Sequence, residues 1–349
     1  MELFTYDKQL IAFKDSVEII RKNNYANQST SKYNLNYYVV LNLEDGQWKV
    51  IAIKLLDHDS IIEESRAHIP IQVEAVNGIN YYPKDSPWLD FWKDFDEQII
   101  FTDLQLLKSM GYNSLRIFIP SDGVVPGLEF QTMLNQLESL MDLAQSLDIK
   151  VIITLFDFPV SFQLDYYPRT LAQVEGVVHR IKEHSALLAY DIKNELDRDF
   201  ELHGQSVVLN WLSFVISSIK ELDNTHPVTI GWSKADHAHE LESKVDFISF
   251  HDYNNLGVLQ TNIERIKSYS IKPILLSEFG MSTYKGLFAP FGKSKTQQVS
   301  YVSEVRAICK EKQIGCMVWT LHDFQEIPSE VFGWKPWVKA KQKHFGVVE

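Results

Sequence analysis

From residue 73 onward, short apolar runs alternate with longer stretches of helical periodicity, and that alternation leaves the chain very few folds. A buried run followed by an amphipathic stretch, repeated many times, is the mark of βα units on a parallel sheet. The runs fall at 73–81, 114–119, 151–156, 187–192, 228–231, 247–250, 273–277 and 315–320. Helical stretches at 96–110, 130–147, 171–184, 206–222, 262–269 and 295–312 separate most of them. Between the fifth and sixth runs only about one helical turn fits, near 235–241. Eight such units over about 250 residues match a (β/α)8 TIM barrel. A doubly wound sheet also alternates, but it places a glycine-rich phosphate loop after its first strand. No such loop follows here, so the expected fold is α/β, a (β/α)8 barrel.

Residues 1–70 have a different texture. Leu10, Ile11, Phe13, Val17, Ile19 and Ile20 recur at near-helical spacing and predict one amphipathic helix. The runs 35–43 and 47–56 flank Glu44-Asp45-Gly46, a good hairpin turn. The expectation is a small α+β segment over 1–70, an accessory domain or a lid on the side of the barrel, ahead of a catalytic domain over 71–349. Asn27-Gln28-Ser29 is a formal glycosylation sequon. After Thr320 a loop rich in Trp, Pro and His precedes the end at Glu349. The eighth barrel helix is therefore expected to be short or missing, or its place covered by the N-terminal segment.

Composition sets the remaining bounds. With 45% hydrophobic and 23% charged residues the chain reads as globular, and a net charge of −12 argues against nucleic-acid or anionic-membrane partners. A hydroxyl-rich sugar ligand is indifferent to that charge, and eight Trp and fifteen Tyr supply surfaces for stacking on sugar rings. No apolar run reaches the ~18 residues of a membrane span. Residues 1–14 lack a basic start and apolar core, so no signal peptide is predicted. The location expected is cytoplasmic, unless the chain is a processed or truncated secreted protein. Cys309 and Cys316 could pair, but two thiols make no disulfide framework, and a buried free pair is the simpler reading.

The chemistry gathers at strand ends. Glu195 closes Tyr190-Asp191-Ile192-Lys193-Asn194-Glu195, and Glu278 closes Ile274-Leu275-Leu276-Ser277-Glu278 ahead of Phe279-Gly280. An ionised carboxylate ending a buried strand is costly without partners. Two of them, in these surroundings, form the pattern of a paired-carboxylate glycosidase. Other strand ends supply Asn80, Tyr81 and Tyr82; Arg116 inside an apolar run; His251-Asp252-Tyr253; and Trp319-Thr320. Each has a bland alternative: Arg116 pairing only with Asp191, His251 as a satisfied strand-end histidine, Trp319 as core, and Tyr81, Tyr82 and Trp88 as loop packing.

Taken together and in order, these residues resemble the clan A glycoside hydrolases. The closest likeness is to the cellulase- and mannanase-like family 5, with some family 2-like features, over roughly residues 75–346. The resemblance implies that Glu195 is the acid/base and Glu278 the nucleophile of a retaining hydrolase of β-linked hexosides, of β-mannan or β-glucan type. It implies that Arg116, Asn194, His251, Tyr253 and Trp319 line the sugar subsite, with Asn80 and Tyr81 as further substrate contacts. His344-Phe345-Gly346-Val347-Val348 looks like the segment that follows the eighth-strand loop in such enzymes. One position departs: Phe156 stands where family 5 often has a histidine at the end of strand three.

No cofactor and no metal are expected. Two other readings stay open. His237 and His239, with His251 and Asp252, could serve a metal-dependent barrel hydrolase. A catalytically inactive barrel that binds carbohydrate would also fit.

Overall fold

In the computed structural model, which describes residues 2–7, 10–22, 30–44, 47–56, 73–121, 123–125 and 127–348, the chain divides into two units, Met1–Ser65 and Arg66–Glu349. The first holds four strands, β1 (Glu2–Asp7), β2 (Leu10–Lys22), β3 (Thr30–Glu44) and β4 (Gln47–Leu56). They form one antiparallel sheet in sequence order. The predicted α+β character is thus corrected: the helix expected over residues 10–20 is strand β2. Its ladder with β3 runs unbroken from Leu10 opposite Asn42 to Lys22 opposite Thr30. Val17, Ile19 and Ile20 are β-branched and favour strands. A thirteen-residue ladder outweighs a weak helical spacing. The β3–β4 hairpin forms as expected, while Asp45, Gly46 and the sequon at Asn27 lie outside the described residues.

The second unit is the barrel. Its elements are β5 (Asn77–Asn80), α1 (Leu89–Lys93), α2 (Glu97–Ser109), β6 (Ser114–Phe118), α3 (Phe130–Ser146), β7 (Lys150–Phe156), α4 (Tyr167–Ile181) and β8 (Leu187–Asn194). There follow α5 (Phe200–His203), α6 (Gln205–Leu222), β9 (Val228–Trp232), β10 (Ile248–His251), α7 (Leu256–Tyr269), β11 (Ile274–Phe279), α8 (Lys295–Glu311), β12 (Gly315–Trp319) and α9 (Pro336–Gln342). Strands β5 to β12 close in sequence order, every pair parallel.

The strands are apolar on both faces because both are covered. All five residues of β6, β9 and β12 are buried, as parallel sheets under helices require. The helices show one apolar stripe each: α3 buries Met133, Leu134, Leu137, Leu140, Met141 and Ala144, spaced three and four apart. Caps set the starts. The Asp96 side chain accepts from the amides of Gln98 and Ile99, and Ser294 with Gln297 closes a capping box on α8.

Some bounds move. The first run shortens to Asn77–Asn80 after a 3-10 turn at Val73–Ala75, and the link between β9 and β10 carries two 3-10 turns instead of one helical turn. The helix following β12 has only seven residues. Beyond it the chain returns to the end of β12, where Val347 N–H donates to the Thr320 carbonyl (3.0 Å) and Val348 N–H to that of Leu321 (2.8 Å). Cys309 and Cys316 are both buried and unbridged.

Candidate active site

Arg116 organises the floor of the barrel mouth. It lies mid-strand in β6, fully buried, and each of its side-chain hydrogen bonds goes to another strand. Its Nε and Nη2 donate to Asp191 Oδ2 on β8 (2.9 and 2.6 Å). Its Nη1 donates to Asn80 Oδ1 on β5 (2.9 Å) and to Glu278 Oε1 on β11 (2.7 Å). Nη2 also reaches Asn194 Oδ1 (3.1 Å), and Thr154 on β7 donates to the same Asp191 oxygen (3.0 Å). On β9 the neighbour is Gly231, where a Cβ would sit 2.9 Å from both Arg116 Nη2 and Asp191 Oδ2. Only glycine leaves room for this ion pair. Burial works against the Arg116 cation, but Asp191 and Glu278 more than offset it and hold its pKa above the ordinary arginine value. Arg116 therefore pairs with Glu278 as well as with Asp191, and not with Asp191 alone.

Glu278 is buried and accepts donors on both oxygens. Arg116 holds Oε1, and the Tyr253 hydroxyl donates to Oε2 at 2.8 Å. His251 Nδ1 lies 3.3 Å from the same Oε2. Burial and the charge of Glu278 keep the Tyr253 hydroxyl protonated, its pKa well above the ordinary tyrosine value. As a residue Tyr253 is 42% exposed, so it lies at the surface while its hydroxyl reaches in to Glu278.

Glu195 is differently placed. It follows β8 with a left-handed backbone (φ 50°), an uncommon conformation for a non-glycine residue, and its N–H donates to the Gly231 carbonyl (2.8 Å). His251 Nδ1 is 3.2 Å from its Oε1, and Arg198 Nη1 is 2.5 Å from its Oε2. Burial is the largest influence and raises the Glu195 pKa; Arg198 opposes it and Asp197 reinforces it.

His251 joins the two carboxylates through a single nitrogen. Burial pushes its pKa down to about 4, with Glu278 opposing and Arg116 adding to the shift. It is therefore neutral near pH 7 and carries one ring proton. Placed on Nδ1, that proton serves whichever glutamate is charged. An oxygen of Glu195, a nitrogen of His251 and an oxygen of Glu278 all lie within 4.8 Å of one another.

The remaining expected residues divide. Trp319 is buried against Tyr82, Trp88, Phe118 and Phe324, with ring centroids 6.0–6.4 Å apart, and its Nε1 donates to Gln342 (3.1 Å). Asn80 is fully buried; its amide donates to the Ser277 carbonyl (2.8 Å) while its oxygen holds Arg116. Tyr81 is not brought to the cleft. It is fully buried, and its hydroxyl donates to Asp103 on α2 (2.9 Å), because alternation along the chain turns it to the face away from Asn80. Phe156 packs edge-on against Trp211 of α6 at 5.1 Å.

Next to Phe156 is a residue the sequence reading missed. Asp157 accepts from the Tyr82 hydroxyl (2.7 Å) and from the Asn194 side chain, and burial raises its pKa against those bonds. The signal was there, since Asp157 also ends an apolar run. Arg198 was missed too, because an exposed arginine after a strand end looks like any solvated cation.

The metal reading loses its ligand set. His237 packs on Phe200 and Trp232, His239 is exposed, and Asp252 binds the Asn254 amide and the Asn262 side chain. Among the described residues the one metal-like cluster is Glu195, His251 and Glu278, and there Arg116 already supplies the cation. A cavity of about 980 Å³ opens near Asn77, Ile271 and Arg306, where no catalytic pair stands; the chemistry argues for the carboxylate site instead.

The barrel mouth thus gathers two glutamates from the ends of separate strands, an arginine beneath one of them and an aromatic wall beside them. Residues 77–325 match the model of the cellulase family, glycosyl hydrolase family 5. The chain belongs to that family of enzymes, which hydrolyse glycosidic bonds. It is 25% identical over 186 residues to mannan endo-1,4-β-mannosidase A of Aspergillus aculeatus, covering 42% of this chain and 48% of that protein. The exo-β-1,4-mannosidase Op5Man5 of Opitutaceae bacterium strain TAV5 shares the fold with a TM-score of 0.63 at 19% identity, covering 78% of this chain and 55% of that one. The endo-1,4-β-D-mannanase of Thermotoga petrophila RKU-1 gives a TM-score of 0.51 at 18% identity, over 70% of this chain and 87% of that one. The chain thus spans about half the length of the first two relatives. No helix among the described residues is long and apolar enough to cross a membrane.

Proposed function

We propose that the chain is a retaining hydrolase of β-linked hexosides, of β-mannan or β-glucan type, working by double displacement. The observation that carries this is the unlike treatment of two nearby carboxylates. Glu278 accepts hydrogen bonds from the Arg116 cation and the Tyr253 hydroxyl, one on each oxygen, while burial raises the Glu195 pKa toward the protonated acid. Their approach to within 4.8 Å is on the scale of the ~5–5.5 Å spacing of retaining enzymes and short of the ~6.5–9.5 Å that an inverting water needs. The mannan-active relatives favour a mannose- or glucose-type sugar.

In the first step Glu278 attacks the anomeric carbon as Glu195 gives its proton to the leaving oxygen. Glu195, now a carboxylate, then takes a proton from water, which displaces Glu278 from the sugar. The His251 proton can follow the charge from Glu278 to Glu195 between these steps. Asn194, fixed by Arg116 and Asp157, keeps one amide N–H for the sugar 2-hydroxyl.

Hydrolysis of a panel of aryl β-mannosides, β-glucosides and β-galactosides, with Glu278→Ala beside the wild type, tests the proposal. Activity lost in the variant is the expected result. Carbohydrate binding without turnover in the wild type would favour an inactive binding barrel.

Two further expectations follow. Glu195→Ala should cost ~10²–10⁴-fold on substrates with poor leaving groups and far less on a dinitrophenyl glycoside, which needs no protonation. Equal losses on both would remove the acid role. Arg198 favours the charged form of Glu195, so Arg198→Gln should raise the Glu195 pKa further. The acid then stays protonated to higher pH, and the alkaline limb of kcat/KM should move upward. A limb that stays put or moves down would show that Arg198 does not act on Glu195.

A further inference from the structure

Beside the cleft lies a groove of about 490 Å³ whose charge runs against that of the whole chain. Five lysines line it, Lys84, Lys285, Lys293, Lys295 and Lys343, against the single carboxylate of Asp323, in a chain of net charge −12. Lys295 pairs with Asp323 (3.3 Å). The other four ammonium groups have no hydrogen-bond or ion-pair partner among the described residues. Four unpaired cations gathered in one concavity repel one another and raise the local concentration of anions.

Position says which anion. Lys84 follows β5, Lys285 and Lys293 follow β11, and Lys343 follows the helix after β12, so the groove opens at the same strand ends as the catalytic pair. It also shares walls with the site. Phe324 packs on Trp88 at 5.0 Å and on Trp319 at 6.4 Å. His344 stacks on Tyr284 at 5.6 Å, and its neighbour Phe345 meets the ring of Tyr253 at 5.8 Å. Glu195, where the leaving group must sit, follows β8, four strands from β12 and so across the barrel. A saccharide with its leaving group against Glu195 extends its other end toward the lysines.

We propose that this groove binds an oxyanion, a carboxylate or a sulfate ester, carried by the part of the saccharide that stays on the enzyme in the first step. The substrate is then a β-linked glycan of that type that also carries acidic groups. This rests on the glycosidase reading for what fills the cleft, but oxyanion affinity can be measured without turnover. Lysines suit the task as mobile point charges able to meet either group.

The test titrates the full-length Glu278→Ala protein with a neutral β-1,4-linked hexasaccharide and with the same saccharide carboxylated or sulfated at C6. The comparison protein adds Lys285→Gln, Lys293→Gln and Lys343→Gln, none of which belongs to the catalytic machinery. Expected is about tenfold tighter binding of at least one charged form, built from a few small exposed pairs. The preference should shrink at high salt and vanish in the triple variant, with neutral binding unchanged. Which charged form binds identifies the group. Equal affinities, or a preference that survives in the triple variant, would overturn the proposal. So would lysine-dependent binding of duplex DNA or anionic vesicles without any preference among saccharides. Hydrolysis of neutral aryl β-hexosides is scored separately: if it fails while charged saccharides still bind through the lysines, the enzyme reading falls and the groove stands.

Discussion

Glu278→Ala should lower turnover on an activated aryl β-hexoside by at least about 10³-fold, with little loss of folded protein. The size follows from what the residue supplies. Alanine removes the carboxylate to which Arg116 and Tyr253 both donate, so no glycosyl ester can form there. Good leaving groups cannot compensate, because the missing group is the nucleophile and not the acid. The variant does leave Arg116 one anion short, but Asp191 still pairs with it at 2.6 Å. Measured rates should therefore collapse while thermal unfolding moves modestly. Turnover within a few-fold of wild type would remove Glu278 from the reaction.

Arg116→Met should have the largest effect on the fold. It strands Asp191 and Glu278 together in the barrel interior with their common cation gone. Removing one partner of a buried ion pair costs about 3–5 kcal/mol, which for a unit of this size lowers Tm by on the order of 10 °C. Activity should fall as well, since Glu278 loses the donor that holds its Oε1 in place. Arg116→Lys should restore part of the stability and less of the activity, because one ammonium cannot present the fork that reaches four residues on three strands. Calorimetry and rates measured on the same samples decide this. A Tm within about 2 °C of wild type would mean that the network is not the support its geometry describes.

Most of the barrel was legible because its signals are local and repeated. β6 and β12 are buried on both faces, so nearly every residue is apolar and the run is visible. The same contrast exposed the site, because Arg116, Glu195 and Glu278 are charges where burial forbids charge without a partner. Tyr81 was misread for a reason of register. It adjoins Asn80, and one residue along an extended chain turns a side chain to the opposite face. Strand β2 was misread because its apolar residues satisfy helical and extended spacing alike, and only its pairing with β3 decides between them. Asp157 and Arg198 depend on partners more than thirty residues away or on the turn after β8, which no spacing shows. The lysine groove was invisible in the same way, drawn from four separated segments into one concavity.

The central claim is a covalent route through Glu278, and the most direct measurement is to trap it. The protein is incubated with 2-deoxy-2-fluoro β-mannosyl and β-glucosyl fluorides, and the intact mass and peptide map are recorded. One added fluorosugar per chain, on the peptide that contains Glu278 and absent in Glu278→Ala, is the result this account predicts. A label on another residue, or turnover of a natural glycoside that releases the inverted anomer, would contradict it.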